Sequence, residues 1–426
     1  MNSVIIAAAK ITLDVMEGKN LDKSFEKYFK ENSVFIDDNK IRQIKAICYD
    51  SLRHFKTLDF FLQNLVPRKI QNKLIQQLLI IAMNQLTYGN KKNYALVDEV
   101  VNLAKKIDPK QSGFTNAVLR NFLRKKEDLI IKAQQTLESK YNFPLWWIKK
   151  LQNSYPNDWE SIIHCQNMHP PMTLRINQTK ISLKKYKDYL IENDIDFCEL
   201  SPTTIVLNTP KGIDEIIGFN KGWVTIQDFG AQLVKDMMDI KDGQNVLDAC
   251  SAPGGKTGHI LECFDVNLVA LEIDSKRAER VHENLTRLGL TAKVVNASLS
   301  KINNWWDKKK FDRVLLDVPC SGSGVVRRNI DIKWLRRERD FEKFRYEQVD
   351  MLENVWPLLK KKGKLLYVTC SIFEEENAKV IEQFMKKNKD ANVLKIKFPI
   401  NTKRFGNQLI PSKNHDGFYY ELLEKI

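Results

Sequence analysis

Val246-Leu247-Asp248-Ala249-Cys250-Ser251-Ala252-Pro253-Gly254-Gly255-Lys256-Thr257 carries a short apolar run straight into a paired-glycine turn. Such a run, followed by glycines and a helix-like segment, is the strand–turn–helix entry to an α/β domain. Gly254 and Gly255 permit a tight turn and a close backbone approach to a ligand, with free amides at the following helix N-terminus. The Gly-Lys-Thr ending is not a P-loop, because Cys250 stands where that motif needs its first glycine. The dinucleotide pattern G-x-G-x-x-G is absent too, which argues against a cofactor-dependent oxidoreductase.

Downstream, similar runs recur at Leu268-Val269-Ala270-Leu271, Lys293-Val294-Val295, Val314-Leu315-Leu316 and Leu365-Leu366-Tyr367-Val368. Helical segments such as Lys276 to Leu288 lie between most of them. This alternation predicts a mainly parallel sheet with helices on both faces, from about Gly243 onward. Ligands of such sheets bind at the carboxyl ends of the strands.

Chemistry-bearing residues fall at those ends. Glu272 closes the second run, and a carboxylate about 20 residues past a glycine turn suits hydrogen bonding to ribose hydroxyls. With the turn, it points to a nucleoside-bearing cofactor. Asp317-Val318-Pro319-Cys320-Ser321-Gly322 ends the fourth run and Thr369-Cys370-Ser371 the fifth. A cysteine in an apolar run is usually an inert core residue. Two of them just past neighbouring strands, with Asp317, instead suit methylation of carbon 5 of cytosine. That carbon is too electron-poor to attack a sulfonium methyl group until a thiolate adds to carbon 6. A protonated or hydrogen-bonding carboxyl group then stabilises the negative charge on the N3 and O2 side, and a second thiol serves as base or relay when the first is expelled.

Upstream, the chain to about Glu138 shows helical periodicity, as in Leu96-Val97-Asp98-Glu99-Val100-Val101-Asn102-Leu103-Ala104, Lys73 to Leu86 and Phe114 to Leu123. Arg120, Arg124, Lys125 and Lys126 gather at its end, either as a solvated face or as an RNA contact. Pro144, in Asn142-Phe143-Pro144-Leu145-Trp146-Trp147, breaks the pattern. The strand-like Thr173-Leu174-Arg175-Ile176 and Thr204-Ile205-Val206-Leu207, with helix-like Leu183 to Asn193 between, predict a small α+β module.

With 426 residues the chain exceeds one compact domain, and 43% hydrophobic with 28% charged residues is ordinary for a protein with a sizeable core. The net charge of +15 suits a polyanionic partner, though a merely basic soluble protein has the same balance. Lys10, Asp14 and Glu17 interrupt the apolar start before a signal-type core forms, and no run is long enough to span a membrane. Seven scattered cysteines without a CxxC pair read as reduced thiols in a cytoplasm. His164, Cys165 and His169 put no consistent ligand set on one helix face, so no metal is expected.

Three blocks together resemble the Sun/NOL1/NOP2 family of RNA cytosine-5 methyltransferases, in its RsmB/Sun branch. They are Asp248 to Thr257, Leu315-Leu316-Asp317-Val318-Pro319-Cys320-Ser321-Gly322 and Tyr367-Val368-Thr369-Cys370-Ser371, supported by Val325-Val326-Arg327-Arg328-Asn329-Ile330-Asp331-Ile332-Lys333-Trp334. Val97 to Ala104 and Asn116-Ala117-Val118-Leu119-Arg120 are similar to the NusB RNA-binding fold. The resemblance implies a multidomain protein: an all-α NusB-like domain over 1–138, linker helices and a ferredoxin-like, RNA-recognition-like module over 139–240, and an α/β Rossmann-like methyltransferase domain over 241–426.

It also implies S-adenosyl-L-methionine as cofactor and 16S rRNA as partner, with methylation of carbon 5 at the position conventionally numbered cytosine 967, by a cytoplasmic monomer. By the same likeness Cys370 is the nucleophile, Cys320 helps release the product, and Asp317 lies between cofactor and base. Cys250, Ser251, Ala252, Pro253, Gly254, Gly255 and Lys256 form the cofactor loop, and Glu272 holds the ribose. Where relatives carry an aspartate toward the adenine, this chain has Ser298, which implies weaker cofactor binding. A tRNA methyltransferase of the same family and a non-catalytic NusB-like RNA-binding or assembly factor are the alternatives. Arg327, Arg328, Lys333, Arg336, Arg337 and Arg339, with Trp334 among them, are expected to contact an unstacked stretch of RNA.

Overall fold

The computed structural model describes residues 3–32, 37–398 and 404–426. The chain forms two compact units, residues 1–167 with 326–338, and residues 168–325 with 339–426.

The first unit is helical. Lys73–Tyr88 runs through its centre, and Ile75, Leu78, Leu79, Ile80, Ile81, Ala82 and Met83 are all buried. A helix apolar on nearly all sides has to be enclosed by others. Val4–Met16, Asp38–Arg53, Phe55–Leu65, Asn93–Ile107 and Gln111–Ala133 pack on it. Asn72 starts the central helix by accepting from the amides of Leu74 and Ile75 at 3.0 and 3.2 Å, which satisfies two otherwise unpaired donors. Asn142, with φ at 56°, closes Leu137–Tyr141, and Pro144 opens Leu145–Ser154.

Residues 326–338 belong to this helical unit, although they follow the Pro-Cys block in sequence. Asp331 accepts from Asn20 Nδ2 and the Leu21 amide, both at 3.0 Å. Lys333 donates to the Arg53 carbonyl and to Asn167 Oδ1, both at 3.1 Å, and sits over the Phe143 ring. The Trp334 indole donates to the Leu52 carbonyl at 3.0 Å. These contacts correct the expectation of a nucleic-acid surface here. Arg327 and Lys333 are buried and the Trp334 indole donor is engaged, whereas Arg337 and Arg339 remain exposed.

The second unit opens with a four-stranded antiparallel sheet of β1 (Met172–Ile176), β2 (Phe197–Ser201), β3 (Thr204–Leu207) and β4 (Val224–Ile226), in the order β2-β3-β1-β4. The helix Leu183–Glu192 contributes Tyr186 and Leu190 to the core of this module.

The larger sheet contains β5 (Asn245–Asp248), β6 (Asn267–Glu272), β7 (Lys293–Asn296), β8 (Phe311–Asp317), β9 (Leu359–Thr369), β10 (Ala391–Leu394), β11 (Arg404–Phe405), β12 (Gln408–Leu409) and β13 (Phe418–Lys425). Its order is β11-β12-β13-β9-β8-β5-β6-β7, with β10 on β13. Strands β5 to β9 are mutually parallel, whereas β13 runs antiparallel to β9. Neighbouring residues serve opposite cores. Leu247, Leu316 and Tyr367 pack with Leu352 and Phe384 of the helices Asp340–Val355 and Ala378–Lys387. Val246, Leu315 and Leu366 pack with Ile260 and Val281 of Gly255–Cys263 and Ser275–Leu288. The strand order reverses at β5 and β8, which opens a crevice at their carboxyl ends. Among the described residues, no helix is long and apolar enough to cross a membrane.

Candidate active site

At that crevice lies a cavity of about 490 Å³ lined by Cys250, Ala252, Glu272, Ser298, Asp317, Cys320 and Cys370, among others. Strand ends β5, β6, β8 and β9 therefore each deliver a residue that the sequence had singled out. Of the glycine loop, only Cys250 and Ala252 line the cavity. Ser251 is buried, its amide bonded to the Leu271 carbonyl at 3.0 Å. Gly254 caps the next helix at φ +94°, and a Cβ there would press on the Val281 backbone at 3.3 Å, so glycine is required twice over. Arg277 and Asn284 donate to the carbonyls of Ala252 and Pro253 at 3.2 and 2.8 Å, fixing the loop from the neighbouring helix.

Lys256 turns toward β8 and pairs with Asp317 at 2.5 Å. Burial alone would lower the lysine pKa, but the charge and hydrogen bond of Asp317 outweigh it and raise it, so Lys256 keeps its proton. Glu272 accepts from the Asp274 amide at 3.0 Å and is buried. Cys250 is pushed well up by burial and by the charges of Asp317, Asp248 and Glu272. Glu272 and Asp317 both face the cavity, and Asp317 is already paired with Lys256. Ser298 bonds to the Ser300 hydroxyl at 2.9 Å and lines the cavity beside Ala297 and Leu299.

The sulfurs of Cys320 and Cys370 are 3.1 Å apart. The hydrogen bond to Cys370, burial, and the charges of Cys370 and Glu376 together raise the Cys320 pKa well above the usual thiol range. The backbone holds the loops together as well, through the Gly324 amide on the Cys370 carbonyl at 2.8 Å.

Sequence reasoning passed over two groups next to this site. Asp248, at the end of β5, accepts from the Thr257 hydroxyl at 2.7 Å and is pushed up to about 7 by burial. Its position just ahead of the glycine turn was the available signal. Glu376 lies buried behind both thiol loops, and its place in the run Glu374-Glu375-Glu376 hides it, since such runs usually face water. Among the described residues no cluster of His, Cys, Asp and Glu could hold a metal ion.

A doubly wound domain with this strand order, joined to a ferredoxin-like module and a NusB-type helical domain, defines a multidomain methyltransferase. Residues 235–424 match the family described as 16S rRNA methyltransferase RsmB/F, 143–214 its ferredoxin-like domain and 5–124 the NusB family. The chain is 37% identical over 397 residues to ribosomal RNA small subunit methyltransferase B of Shigella sonnei, covering 92% of each. It is also 37% identical over 411 residues to the probable enzyme of that name from Coxiella burnetii, covering 92% of this chain and 95% of the relative. Among solved structures, PH0851 superimposes with a TM-score of 0.79 at 24% identity over 99% of both chains, a likeness of fold. A methyltransferase homolog protein from Pyrococcus horikoshii gives 0.59 at 25% identity, over 68% of this chain and 97% of that one. The chain belongs to the RsmB/F family of 16S rRNA methyltransferases.

Proposed function

We propose that the protein methylates carbon 5 of a cytosine in 16S rRNA, at the position conventionally numbered 967, with S-adenosyl-L-methionine as methyl donor. The observation that carries this reading is the thiol pair, 3.1 Å apart, in the cavity that Glu272 bounds at another strand end. In this reading Glu272 takes the ribose hydroxyls, and Cys250 and Ala252 border the remainder of the cofactor. When bound, the cofactor supplies an electrophilic methyl group, the bonding pair of the broken S–C bond staying on its sulfur.

Cys370, as thiolate, forms a bond to carbon 6 of the cytosine, and the displaced π pair makes carbon 5 nucleophilic. The Lys256 ammonium, held beside the base by Asp317, stabilises the charge that builds on the N3 and O2 side of the ring. Once Cys370 is a neutral thioether, its hydrogen bond and charge no longer hold the proton on Cys320, which passes it to solvent. The resulting thiolate takes the proton from carbon 5, the C5–C6 double bond re-forms, and the S–C6 bond breaks to return Cys370 as thiolate. The target base has to leave its stack to meet these sulfurs, so an opened loop of the rRNA is the natural substrate.

The test is transfer of labelled methyl from S-adenosylmethionine to unmodified 16S rRNA, with nucleosides identified by mass spectrometry. Labelled 5-methylcytosine at position 967 that disappears in Cys370→Ala is the expected result. A Cys320→Ala variant should remain covalently attached to RNA. Label on tRNA alone would overturn the substrate, and label retained in Cys370→Ala would overturn the nucleophile.

A further inference from the structure

Glu376 is 0% exposed and sits directly behind the loops that carry the two sulfurs. Its Oε1 accepts from the amide of Ser321, the residue after Cys320, at 2.7 Å, and from Gln348 Nε2 at 3.2 Å. Its Oε2 accepts from the hydroxyl of Ser371, the residue after Cys370, at 2.7 Å. Gln348 Nε2 also donates to the carbonyl of Pro319, the residue before Cys320, at 3.0 Å. One carboxyl group thus binds both loops within one residue of each sulfur. Both oxygens of the carboxyl group are engaged, Oε1 by two N–H donors and Oε2 by the Ser371 hydroxyl. Burial pushes this carboxyl upward while the bonds from Ser321, Ser371 and Gln348 oppose the shift.

A buried carboxyl group with no ion pair among the described residues is costly, and stability alone gives little reason to keep one. Asn377 and Gln408 already tie down the Ser371 carbonyl at 3.1 and 3.2 Å, so the loop after β9 is anchored without the charge. What the carboxyl group adds is a tie on the Cys320 loop, through the Ser321 amide.

We propose that Glu376 is a positioning residue for both thiols, which clamps the Cys320 and Cys370 loops at their mutual spacing. The proposal rests on the reading of Cys370 as nucleophile and Cys320 as the releasing group. It concerns the second half of the reaction. The Cys370 loop keeps its other ties, so loss of the clamp shifts Cys320, the group that takes the proton from carbon 5. Without that clamp, bond formation by Cys370 goes on while release slows.

The test uses the full chain with Glu376→Gln, which keeps the length and one acceptor oxygen, alongside wild type and Cys320→Ala. Steady-state methyl transfer to unmodified 16S rRNA gives kcat and KM, and a denaturing gel gives the fraction of protein covalently attached to RNA. Expected for Glu376→Gln is a kcat at least tenfold lower, KM for RNA and cofactor within about twofold, and accumulation of the covalent complex toward the level of Cys320→Ala. Turnover within threefold of wild type, with no excess complex, overturns the proposal. So does a fall in kcat that tracks a lowered melting temperature without any complex, since this is the signature of a merely structural residue. Glu376→Asp keeps the charge but not the reach. Release as poor as in Glu376→Gln supports the clamp, whereas release at the wild-type level overturns it. A wild type that forms 5-methylcytosine while Cys370→Ala does so equally well fails the underlying reading instead.

Discussion

Asp248 shows how one residue at the sheet edge ties pH to stability. Its carboxyl is pushed up to about 7 by burial, whereas in the unfolded chain it titrates in the ordinary carboxylate range near 4. Between those values the folded state binds the extra proton, so stability contributed by this residue is full below about pH 4 and is lost as pH rises to about 7. Asp248→Asn keeps a partner for the Thr257 hydroxyl and removes the titration. Denaturant unfolding from pH 4 to 8 should show the wild type losing stability relative to the variant across that window; parallel curves would refute the assignment. Ser298 carries a second prediction at this scale. Its hydroxyl is engaged by Ser300, leaving the cavity wall there without a carboxylate. Calorimetric titration of Ser298→Asp should show S-adenosylmethionine binding roughly five- to tenfold tighter, about 1–1.4 kcal/mol, as charge assistance predicts. An unchanged Kd removes Ser298 from the adenine end.

Between elements, the decisive link is Arg175 on β1. It is 0% exposed and makes a two-pronged pair with Glu262 of the helix Gly255–Cys263, at 2.7 and 3.0 Å. It also donates to the Gly255 carbonyl at 2.7 Å, so the ferredoxin-like module holds the helix that follows the glycine loop. Arg175→Ala leaves Glu262 buried and unpaired, a loss of about 3–5 kcal/mol or roughly 10 °C in Tm for a unit of this size. The double variant Arg175→Met with Glu262→Leu should recover most of that stability in a thermal melt while cofactor binding stays weakened. Full recovery of both would mean that the pair only fills space. This link also marks the limit of what periodicity reveals. Strands β5 to β9 were legible because parallel strands buried on both faces read as plain apolar runs. The antiparallel strands β10 to β13 were not: Phe418-Tyr419-Tyr420-Glu421-Leu422-Leu423 has no alternation, since both faces are covered and Glu421 is sheltered by Asn407 and Tyr419. Cys320, Cys370 and Glu272 stood out as polar residues at the ends of apolar runs. Arg175 and Glu376 did not, because nothing in local spacing tells a buried charge from a solvated one.

For the whole molecule, the same ambiguity changes what the +15 charge means. Arg53, Arg175, Arg313, Arg327 and Lys333 are buried, so part of the basic excess is spent on internal carbonyls and carboxylates rather than offered to RNA. The segment Val326–Glu338 is the clearest case, because its cations complete the helical unit. Lys333 is buried with two carbonyl-type acceptors and the Phe143 ring, and burial together with the charge of Arg53 lowers its pKa well below the usual range. A fragment ending at residue 167 would expose the sites on Leu52, Arg53 and Phe143 that this segment covers, along with the Asn20 and Leu21 donors that Asp331 takes. Joining residues 326–338 to that fragment through a flexible linker should raise its Tm by roughly 5 °C, about 2 kcal/mol. The gain should shrink by more than half with Trp334→Ala, which removes the indole bond to Leu52 and the packing on Phe55. Equal melting of the two fragments would mean that the helices before residue 168 complete their own core and that the segment merely lies on it.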